Sequence, residues 1–426
     1  MAEPKLLTIA DGVQLVAVQT DTFKTCRIGV QIALPLSGDI AAKAVLPYIL
    51  RRSCRRYPDF TSLNGHLDML YGATLGASVS KLGEAQMLKL SISSIDDRFV
   101  PDGESVAAQA AELLAQLLFE PKLENGTFAL ADVEQEKRLL LERMRSEDDD
   151  KRVYARRRCE EVMCQSEPFG KNRYGTADEI ESLTPERVYA AWREALETAV
   201  IRFVLVTSGE ADEVCALLKT QFSAVSRRVC DIRTQFVQTA GAVRYERETQ
   251  PLMQGTLVMG FRCGMKDEYD MDPAVSVMAD VFGGGTYSRL FSVVREKMSL
   301  CYFCAARLNR QKGVMLVFSG IETENEEKTR EAILAQLREI QDGALTQETL
   351  ETSVRSLCDT IRGYTDSPDV LCAWYGMQIL NGTAKTPAQR ISEIRAVTLP
   401  QVQSAAKAVT LDTVFMLAGT GEEHHD

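Results

Sequence analysis

Short segments of the chain alternate between apolar and polar residues with a period of two. Within residues 26–36, Ile28, Val30 and Ile32 fall on one side, and polar or small residues fall on the other. This period places the aliphatic side chains on one face of a half-buried strand. The same alternation, or a short apolar run, predicts further strands at residues 87–95, 200–206, 256–263 and 314–321.

Longer segments repeat their apolar residues at the helical spacing of three and four positions. Residues 132–163 are heavily charged but keep an apolar stripe through Val133, Leu140 and Met144, which predicts one long helix or two in succession. Strands with the alternating pattern of antiparallel sheets, mixed with blocks of helices, are typical of an α+β fold. The other helices are predicted at residues 40–52, 61–71, 105–119, 272–282, 326–341 and 347–362, with one more ending near residue 196.

The chain contains an internal repeat. The run EIESLTPERVYAAW followed by FVLVTSGE, within residues 179–210, is echoed by EIRAVTLPQVQSAA followed by FMLAGTGE, within residues 393–422. A helix, a strand and a Gly-Glu pair displaced by half the chain predict duplication of one α+β unit. We therefore expect two homologous domains, at residues 1–222 and 245–426, joined by a linker at residues 223–244 that lacks helical periodicity.

Composition excludes several classes of function. A net charge of −11 argues against nucleic acid as the main partner, because phosphate binding needs a basic surface. The N-terminal segment lacks a basic region followed by an apolar run, so we expect no secretion signal. No run is long and apolar enough for a membrane helix. The eleven cysteines then predict reduced thiols, and we expect a cytoplasmic protein.

The block GGGTYSRLFSVVREKMSLCY, residues 283–302, carries the clearest candidate chemistry. The turn Gly283-Gly284-Gly285 lacks the Lys-Ser/Thr of a phosphate loop, so we expect a helix-end turn that lets the backbone approach a neighbour or a peptide. Arg295 could pair with a carbonyl or carboxylate, and the Tyr302 phenol could donate to a developing oxyanion. The alternative is that Arg295 only pairs with a nearby acid such as Glu296 and that Tyr302 packs in a sheet.

This block resembles the second-half motif of the pitrilysin/insulinase family of zinc peptidases. Further matches are LTIADGVQLVAVQ, the YGA turn and FGKNRYGTADEIESLTPERV, so the resemblance covers nearly the whole chain. It implies two homologous domains, each a mainly antiparallel sheet packed with helices. It also implies that Arg295 and Tyr302 reach towards substrate held over the metal of a first domain.

Peptidases of this family carry HxxEH on a helix, where the two His share one face and bind zinc while the Glu activates water. The alignment places this motif at residues 44–48, AVLPY. Ala44 and Tyr48 stand where the two His belong, and Pro47 stands in place of the Glu. The distant Glu ligand falls on Arg143, or on Glu142 if the alignment slips by one residue.

The histidine content gives the same result without an alignment. The chain has three His, and two of them, His424 and His425, lie in the tail. The third, His66, is predicted to be exposed or a helix cap. A site of two His and one Glu cannot be assembled in the first half, so we expect no zinc in this chain.

The cysteines offer no evident replacement for that site. Cys301 and Cys304 form a CxxC pair, and Cys159 and Cys164 form CxxxxC, but the two pairs are far apart in sequence for a zinc ribbon. Cys301 and Cys304 are expected in a strand as buried thiols. A thioredoxin-like motif would instead open a helix.

Loss of HxxEH with retention of the Arg/Tyr block resembles the non-catalytic subunits of the family. The resemblance implies a heterodimer with an HxxEH-bearing paralogue that holds the zinc, or otherwise a homodimer, acting on a peptide or protein substrate. The segment LPYILRRSCRRYPDFTSLNGHLDMLYGA resembles a bacterial member associated with 5-aminopentanol modification of elongation factor P. An exposed strand edge could hold the peptide by β-augmentation. Two alternatives stay open: a structural scaffold with vestigial Arg295 and Tyr302, and an active zinc endopeptidase with a displaced metal.

Overall fold

The computed structural model describes residues 3–101, 103–267 and 273–420. The strands are β1 (Lys5–Ala10), β2 (Val13–Gln19), β3 (Thr25–Pro35), β4 (Thr74–Leu82), β5 (Ala85–Ile95), β6 (Val200–Thr207), β7 (Arg244–Gln250), β8 (Gly255–Arg262), β9 (Phe303–Asn309), β10 (Val314–Ile321) and β11 (Thr410–Gly419).

Fourteen α-helices and one π-helical segment, Leu290–Lys297, are present within those residues. None of these helices combines the length and the apolar character that a bilayer crossing requires. The helices are α1 (Ile40–Leu50), α2 (Phe60–Met69), α3 (Val106–Phe119), α4 (Leu130–Asp149), α5 (Lys151–Met163), α6 (Ala177–Glu181), α7 (Pro185–Thr198), α8 (Asp212–Ser223), α9 (Pro273–Gly283), α10 (Glu326–Gln341), α11 (Gln347–Gly363), α12 (Pro368–Gly376), α13 (Pro387–Arg395) and α14 (Leu399–Lys407).

The chain forms two compact units, and neither is continuous in sequence. The first unit contains the residues up to 144 together with 172–233 and 363–387; the second contains 145–171, 234–362 and the residues from 388 onward. The predicted linker has no helix or strand between residues 226 and 243, and it is divided between the units at residue 233.

The two units share one sheet topology. The first unit has the strand order β1-β2-β6-β3-β5-β4, and the second has β7-β11-β8-β10-β9. In each sheet one pair is parallel, β2 with β6 and β7 with β11, and the other pairs are antiparallel. With β1 as an addition, the first sheet repeats the second strand for strand, as expected for a duplicated α+β unit.

Each unit contains one helix from the other half of the sequence. Helix α5 packs on β8 and β11, where Cys159 and Met163 join a core with Val258 and Phe415. A side chain at Gly260 would meet the Met163 sulfur at 2.7 Å, so the glycine allows the close approach. Helix α12 packs on β3 and β6 of the first sheet in the same way.

The sequence-predicted strands and helices are present, with ends that agree or differ by at most two residues. Residues 132–163 form two helices because the Asp150 carboxylate caps α5, accepting hydrogen bonds from the backbone N–H groups of Arg152 (3.0 Å) and Val153 (3.2 Å). Helix α9 begins at Pro273, and residue 272 of its predicted range lies outside the described residues. Cys301 was expected in a strand, but it precedes β9, which begins at Phe303.

A buried ionic cluster joins α5 to the sheet of the second unit. Glu167, just beyond α5, accepts hydrogen bonds from Arg262 at 2.7 and 3.2 Å and pairs with the Lys312 Nζ at 2.6 Å. Asp412 binds Arg262 Nε at 2.8 Å and Arg244 at 2.8 Å. Glu167 and Lys312 are 3 % and 0 % exposed, so removal of one charge would leave others buried without a counter-ion.

Candidate functional site

Helix α1, where the metal-binding motif is predicted, lies in the hydrophobic core. All eleven of its residues are buried. The Asp39 carboxylate caps its first turn, accepting from the Ala42 N–H at 3.1 Å, and Arg187 donates to both Asp39 oxygens at 2.8 and 2.9 Å. The Lys43 ammonium donates to the carbonyls of Pro35 and Ser37, at 3.0 and 2.7 Å. The sequence therefore folds this helix as a packed, capped element.

The four residues predicted as degenerate metal positions fall on α1 and on the facing part of α4. Ala44 and Pro47 are buried in the core, and Tyr48 is 4 % exposed. The Arg143 guanidinium carbon lies 3.9 Å from the centre of the Tyr48 ring. Glu142, the alternative match for the distant ligand, has a side chain that is 56 % exposed and lies 3.8 Å from Arg138 on the same helix. The residue that meets Tyr48 is therefore Arg143.

These residues do not fit a zinc ion. An alanine methyl, a proline ring, a phenol and a guanidinium provide no set of zinc donors, and Arg143 adds a fixed positive charge. The structure places His66 against Tyr57, with ring centres 4.4 Å apart. Burial lowers the pKa of His66. Within residues 3–101, 103–267 and 273–420, no three His, Cys, Asp or Glu side chains are grouped to hold a metal; His424 and His425 lie outside these ranges.

The edge of the first sheet offers an unpaired strand beside a cavity. Strand β4 pairs with β5 on one side, and no strand of the described residues pairs with its other side. A cavity of about 450 Å³ opens at the start of β4. Tyr71 and Phe99, 47 % and 46 % exposed, line it together with Lys24. An unpaired edge next to exposed aromatic side chains is suited to an extended peptide.

Tyr71 also has an unusual backbone. Its φ is +58°, a left-handed conformation that costs a bulky side chain energy, and Gly72 follows with φ of +73°. The second unit repeats this arrangement at Ser299, with φ of +52°, between the π-helical segment and β9. The edge strands β4 and β9 are therefore each preceded by a residue in the left-handed conformation.

The glycine triplet ends α9 as a close-packed turn. A side chain at Gly283 would meet the Ala306 backbone nitrogen of β9 at 2.5 Å, so glycine is required there for close approach. Gly284 and Gly285 follow the last turn, and the Gly284 N–H donates to Asp280 O at 2.8 Å. The Tyr287 hydroxyl donates to the Asp280 carboxylate at 2.7 Å, and burial raises the pKa of Asp280.

Arg295 and Tyr302 lie on the second unit at the approach to β9. The Arg295 side chain is 39 % exposed; its Nε lies 3.8 Å from Glu296, and its guanidinium carbon lies 4.4 Å from the centre of the Phe291 ring. Tyr302 is 55 % exposed, and its hydroxyl donates to Glu322 at 3.4 Å. These long contacts leave both polar groups accessible to a ligand.

The CxxC pair lies beside these two residues. Cys304 is buried in β9 opposite Ser319 of β10, whereas Cys301 is half-buried before the strand. A hydrogen bond with Cys304 lowers the pKa of Cys301 to about 7, overcoming burial, with help from Ser319 and the charge of Arg295. Sequence reasoning missed this cluster because it placed both cysteines in a strand. It also missed Tyr71 and Phe99 as cavity residues; for Tyr71 the available signal was its position directly before Gly72.

Comparison with known proteins identifies relatives of this chain. Residues 182–357 match the family described as "Peptidase M16 inactive domain". The chain is 27 % identical, over 95 % of both sequences, to a protein of Bacillus subtilis (strain 168) named "Probable inactive metalloprotease YmfF". It is 21 % identical to the "Uncharacterized zinc protease YmxG" of the same organism, over 90 % of this chain and 94 % of that protein.

Solved structures give the same fold. A conserved protein from Enterococcus faecalis V583 matches 99 % of this chain and 100 % of its own with a TM-score of 0.89 at 24 % identity. A peptidase M16 inactive domain from Pseudomonas fluorescens matches 98 % of this chain and 99 % of its own with a TM-score of 0.81 at 17 % identity. The predicted α+β fold with two sheets packed by helices is therefore confirmed, as is the resemblance to the pitrilysin/insulinase (M16) peptidases.

Proposed function

We propose that this chain, which resembles inactive M16 metalloproteases, binds peptides without cleaving them, as the non-catalytic partner of an HxxEH-bearing paralogue. The paralogue would hold the zinc and cleave the bound peptide. This chain would contribute binding surface to the shared chamber, and it needs no metal for that role.

The contact of Arg143 with Tyr48 carries the proposal. The Arg143 guanidinium lies 3.9 Å from the Tyr48 ring, and the sequence resemblance predicts a zinc ligand and a histidine at these two positions. A cation on an aromatic face is a stabilising packing contact, and it opposes the binding of a second cation. With Ala44 and Pro47 in the core of α1, these positions offer no donors for the family's metal chemistry.

The peptide-binding part of the proposal rests on the edge strand β4. An added peptide strand would satisfy the outer backbone groups of β4 by β-augmentation. The cavity lined by Tyr71 and Phe99 would then receive one side chain of that peptide, with apolar or aromatic chains favoured by the two rings. A peptide N-methylated at alternate positions should bind in one register and lose binding in the other.

Arg295 and Tyr302 are proposed to bind the substrate backbone. Their contacts with Glu296 and Glu322 are long and solvent-exposed, so a peptide carbonyl or carboxylate can displace them at low cost. A scaffold role, in which both residues are vestigial, is favoured by the same two intrachain contacts. Substitution distinguishes the two roles, because a scaffold would lose nothing.

The partner is tested first. The tagged chain is recovered from its own cell, and the co-purifying proteins are identified and quantified. One HxxEH-bearing relative in near-equal amount supports the heterodimer, whereas recovery of the chain alone contradicts it. Elongation factor P, suggested only by the sequence resemblance, would be tested as a substrate of that complex. A cytoplasmic location is likewise part of the proposal.

The Arg/Tyr role is tested in the purified complex. Arg295→Ala and Tyr302→Phe should each weaken peptide processing at least about tenfold, as expected when a charged or oxyanion-directed hydrogen bond is lost. Arg395→Ala and Tyr245→Phe are matched controls, since Arg395 is an exposed arginine and Tyr245 is 61 % exposed on β7, the opposite edge of the same sheet. Equal effects in test and control variants would favour the scaffold. Stoichiometric zinc in the isolated chain would instead favour a displaced catalytic metal.

A further inference from the structure

Helix α5 carries four arginines, and only two of them are neutralised. Arg157 and Arg158 form ion pairs with carboxylates of α4, α5 and β7 at 2.5–2.8 Å. Arg152 and Arg156 are four positions apart, so they share one side of the helix. Arg152 contacts Phe303 of β9, which lies at the opposite edge of the sheet from β7. The unneutralised side of α5 therefore faces β9 and β10.

A chain of ring contacts connects this side of α5 to a third arginine. The Arg152 guanidinium carbon lies 4.3 Å from the centre of the Phe303 ring. The Phe303 and Phe318 ring centres are 6.3 Å apart, and the Arg307 guanidinium carbon lies 5.8 Å from the centre of the Phe318 ring. We call this surface of the second unit the arginine shelf, defined by Arg152, Arg156, Phe303, Arg307 and Phe318.

Strand register fixes the two rings of the arginine shelf. Ala305 of β9 lies opposite Phe318, and Gly320 of β10 lies opposite Phe303. Residues opposite each other, and alternate residues of one strand, share a face, so both rings lie on the same face as Arg307. Phe318 packs against the core that α5 forms with the sheet. A side chain at Gly320 would collide with the Phe303 ring, so the glycine makes room for it.

The three arginines of the shelf have hydrogen-bond donors to spare. Arg152 and Arg307 are exposed, and Arg156 is half-buried. Within the part of the chain that the structure describes, none of the three side chains forms an ion pair or a hydrogen bond. A phenyl ring takes up no conventional hydrogen bond, so the guanidinium N–H groups stay available to a ligand. This local positive charge lies on a chain whose net charge is −11.

We propose that the arginine shelf binds an anion through a diphosphate group. The planar fork of an arginine binds phosphate oxygens in pairs. A tetrahedral phosphate directs its oxygens several ways, so arginines of the helix and of the strand can bind the same group, whereas a planar carboxylate suits one fork. A diphosphate also carries enough negative charge to face all three guanidinium groups. This binding needs no peptide and no paralogue, so it goes beyond the proposed function.

The test is calorimetric titration of inorganic pyrophosphate into the full chain in magnesium-free buffer. The natural chain should show saturable binding at one site. Arg152→Gln and Arg307→Gln should each raise the Kd about tenfold, as expected for the loss of a hydrogen bond from a charged donor. The double variant should raise the Kd further than either single variant.

Arg338→Gln is the matched control. Arg338 is an exposed arginine of α10, in the helix layer on the other face of the same sheet, and it has no ion pair with any described residue. The substitution removes the same charge from the same unit. It should change the Kd by less than about twofold, because solvent and salt screen a separated surface charge.

Two further titrations identify the source and the class of the ligand. Binding of both ADP and pyrophosphate supports a diphosphate ester, whereas binding of pyrophosphate alone supports free diphosphate. Absence of saturable pyrophosphate binding, an equal loss in Arg338→Gln, or tighter binding of a hexaglutamate peptide than of pyrophosphate would overturn the proposal. All these measurements use the chain without peptide substrate, so they do not depend on the proposed function.

Discussion

The Arg143 guanidinium carbon lies 3.9 Å from the centre of the Tyr48 ring, and this contact joins α4 to α1 in the first unit. Arg52 reinforces the same pair of helices, donating to Asp132 and to the buried Glu136, each at 2.9 Å. Side-chain interactions of Arg143 and Arg52 therefore join the α1 region to α4 in the first unit.

The first prediction concerns this contact. Arg143→Ala should lower the unfolding free energy of the first unit by about 1 kcal/mol, the scale of a partly buried cation–π contact. Arg143→Glu should cost more, because a carboxylate would face the negative face of the ring. Urea unfolding followed by tryptophan fluorescence reports on this unit, since Trp192 and Trp374 both belong to it.

Arg138→Ala is the matched control for that experiment. Arg138 lies on the same helix with a side chain that is 70 % exposed. Loss of such a surface charge should change the unfolding free energy by less than about 0.5 kcal/mol. If Arg138→Ala and Arg143→Ala are equally destabilising, the contact with Tyr48 contributes nothing specific.

The second prediction concerns the strained turn before β4. Tyr71→Gly should raise the unfolding free energy by about 1 kcal/mol, because glycine adopts φ of +58° without the penalty of a side chain. Tyr71→Ala keeps the backbone penalty and should give no gain. The same substitution should weaken peptide binding if the ring lines a peptide subsite. Fluorescence-detected unfolding and peptide titration measure the two effects separately.

Asn125→Gly controls for the general effect of a glycine. Asn125 has φ of +52°, and asparagine tolerates this region better than tyrosine does. Its replacement should therefore change stability by only a few tenths of a kcal/mol. A gain at Asn125 equal to that at Tyr71 would mean that Tyr71 is not specially strained.

Much of the fold could be predicted from sequence, and the limits have physical causes. Strands buried on both faces, such as β10, are apolar enough to identify without ambiguity. The edge strand β7, RYERETQ, carries mostly polar residues because it is largely exposed, so periodicity gives no signal there. The packing of α5 on the second sheet and of α12 on the first could not be predicted, since an apolar stripe does not specify which sheet it covers.

The candidate site, too, could be predicted only in part from the sequence. The missing histidines of α1 were visible directly, because HxxEH has a fixed spacing. Whether Arg143 or Glu142 matches the distant ligand is ambiguous by one residue in the sequence; in the structure Arg143 lies against Tyr48, whereas the Glu142 side chain is 56 % exposed. The cluster of Cys301, Cys304 and Ser319 depends on a bend at Tyr302 and on strand register, neither of which composition specifies.

The third prediction concerns the buried ionic cluster of the second unit. Glu167→Gln should lower the unfolding free energy of that unit by about 3–5 kcal/mol, because Arg262 and Lys312 would stay buried with fewer counter-charges. Glu327→Gln, at a carboxylate that is 78 % exposed, should change it by less than about 0.5 kcal/mol. The second unit has no tryptophan, so amide hydrogen exchange in α5 and β8 is the measurement.

The same cluster gives a pH dependence. Burial alone would raise the pKa of Glu167, but hydrogen bonds from Arg262 and Lys312 hold it below its usual value of 4.5. Its stabilising contribution is therefore complete above pH 4.5 and is lost as the pH falls through the lowered value. Exchange in α5 should accelerate in that acidic range in the natural chain. Glu167→Gln should remove this acid-dependent part, and an unchanged pH profile would contradict the assignment.

The fourth prediction concerns the acidity of Cys301. Its alkylation by iodoacetamide should rise with a midpoint near pH 7, because the hydrogen bond with Cys304, then Ser319 and the Arg295 charge, stabilise the thiolate. Cys304→Ala removes the strongest of these contributions and should shift the midpoint upward. Cys304→Ser retains a hydrogen-bond donor and should restore most of the acidity. In both variants Cys301 is the sole thiol of the tryptic peptide of residues 298–307, so its alkylation rate is unambiguous.

Cys230 is the internal control. Its pKa is raised by burial, so it should react with a midpoint above pH 9 in every variant. If Cys301 and Cys230 titrate together, or if the alanine and serine variants behave alike, the hydrogen-bonded cluster does not control the thiol.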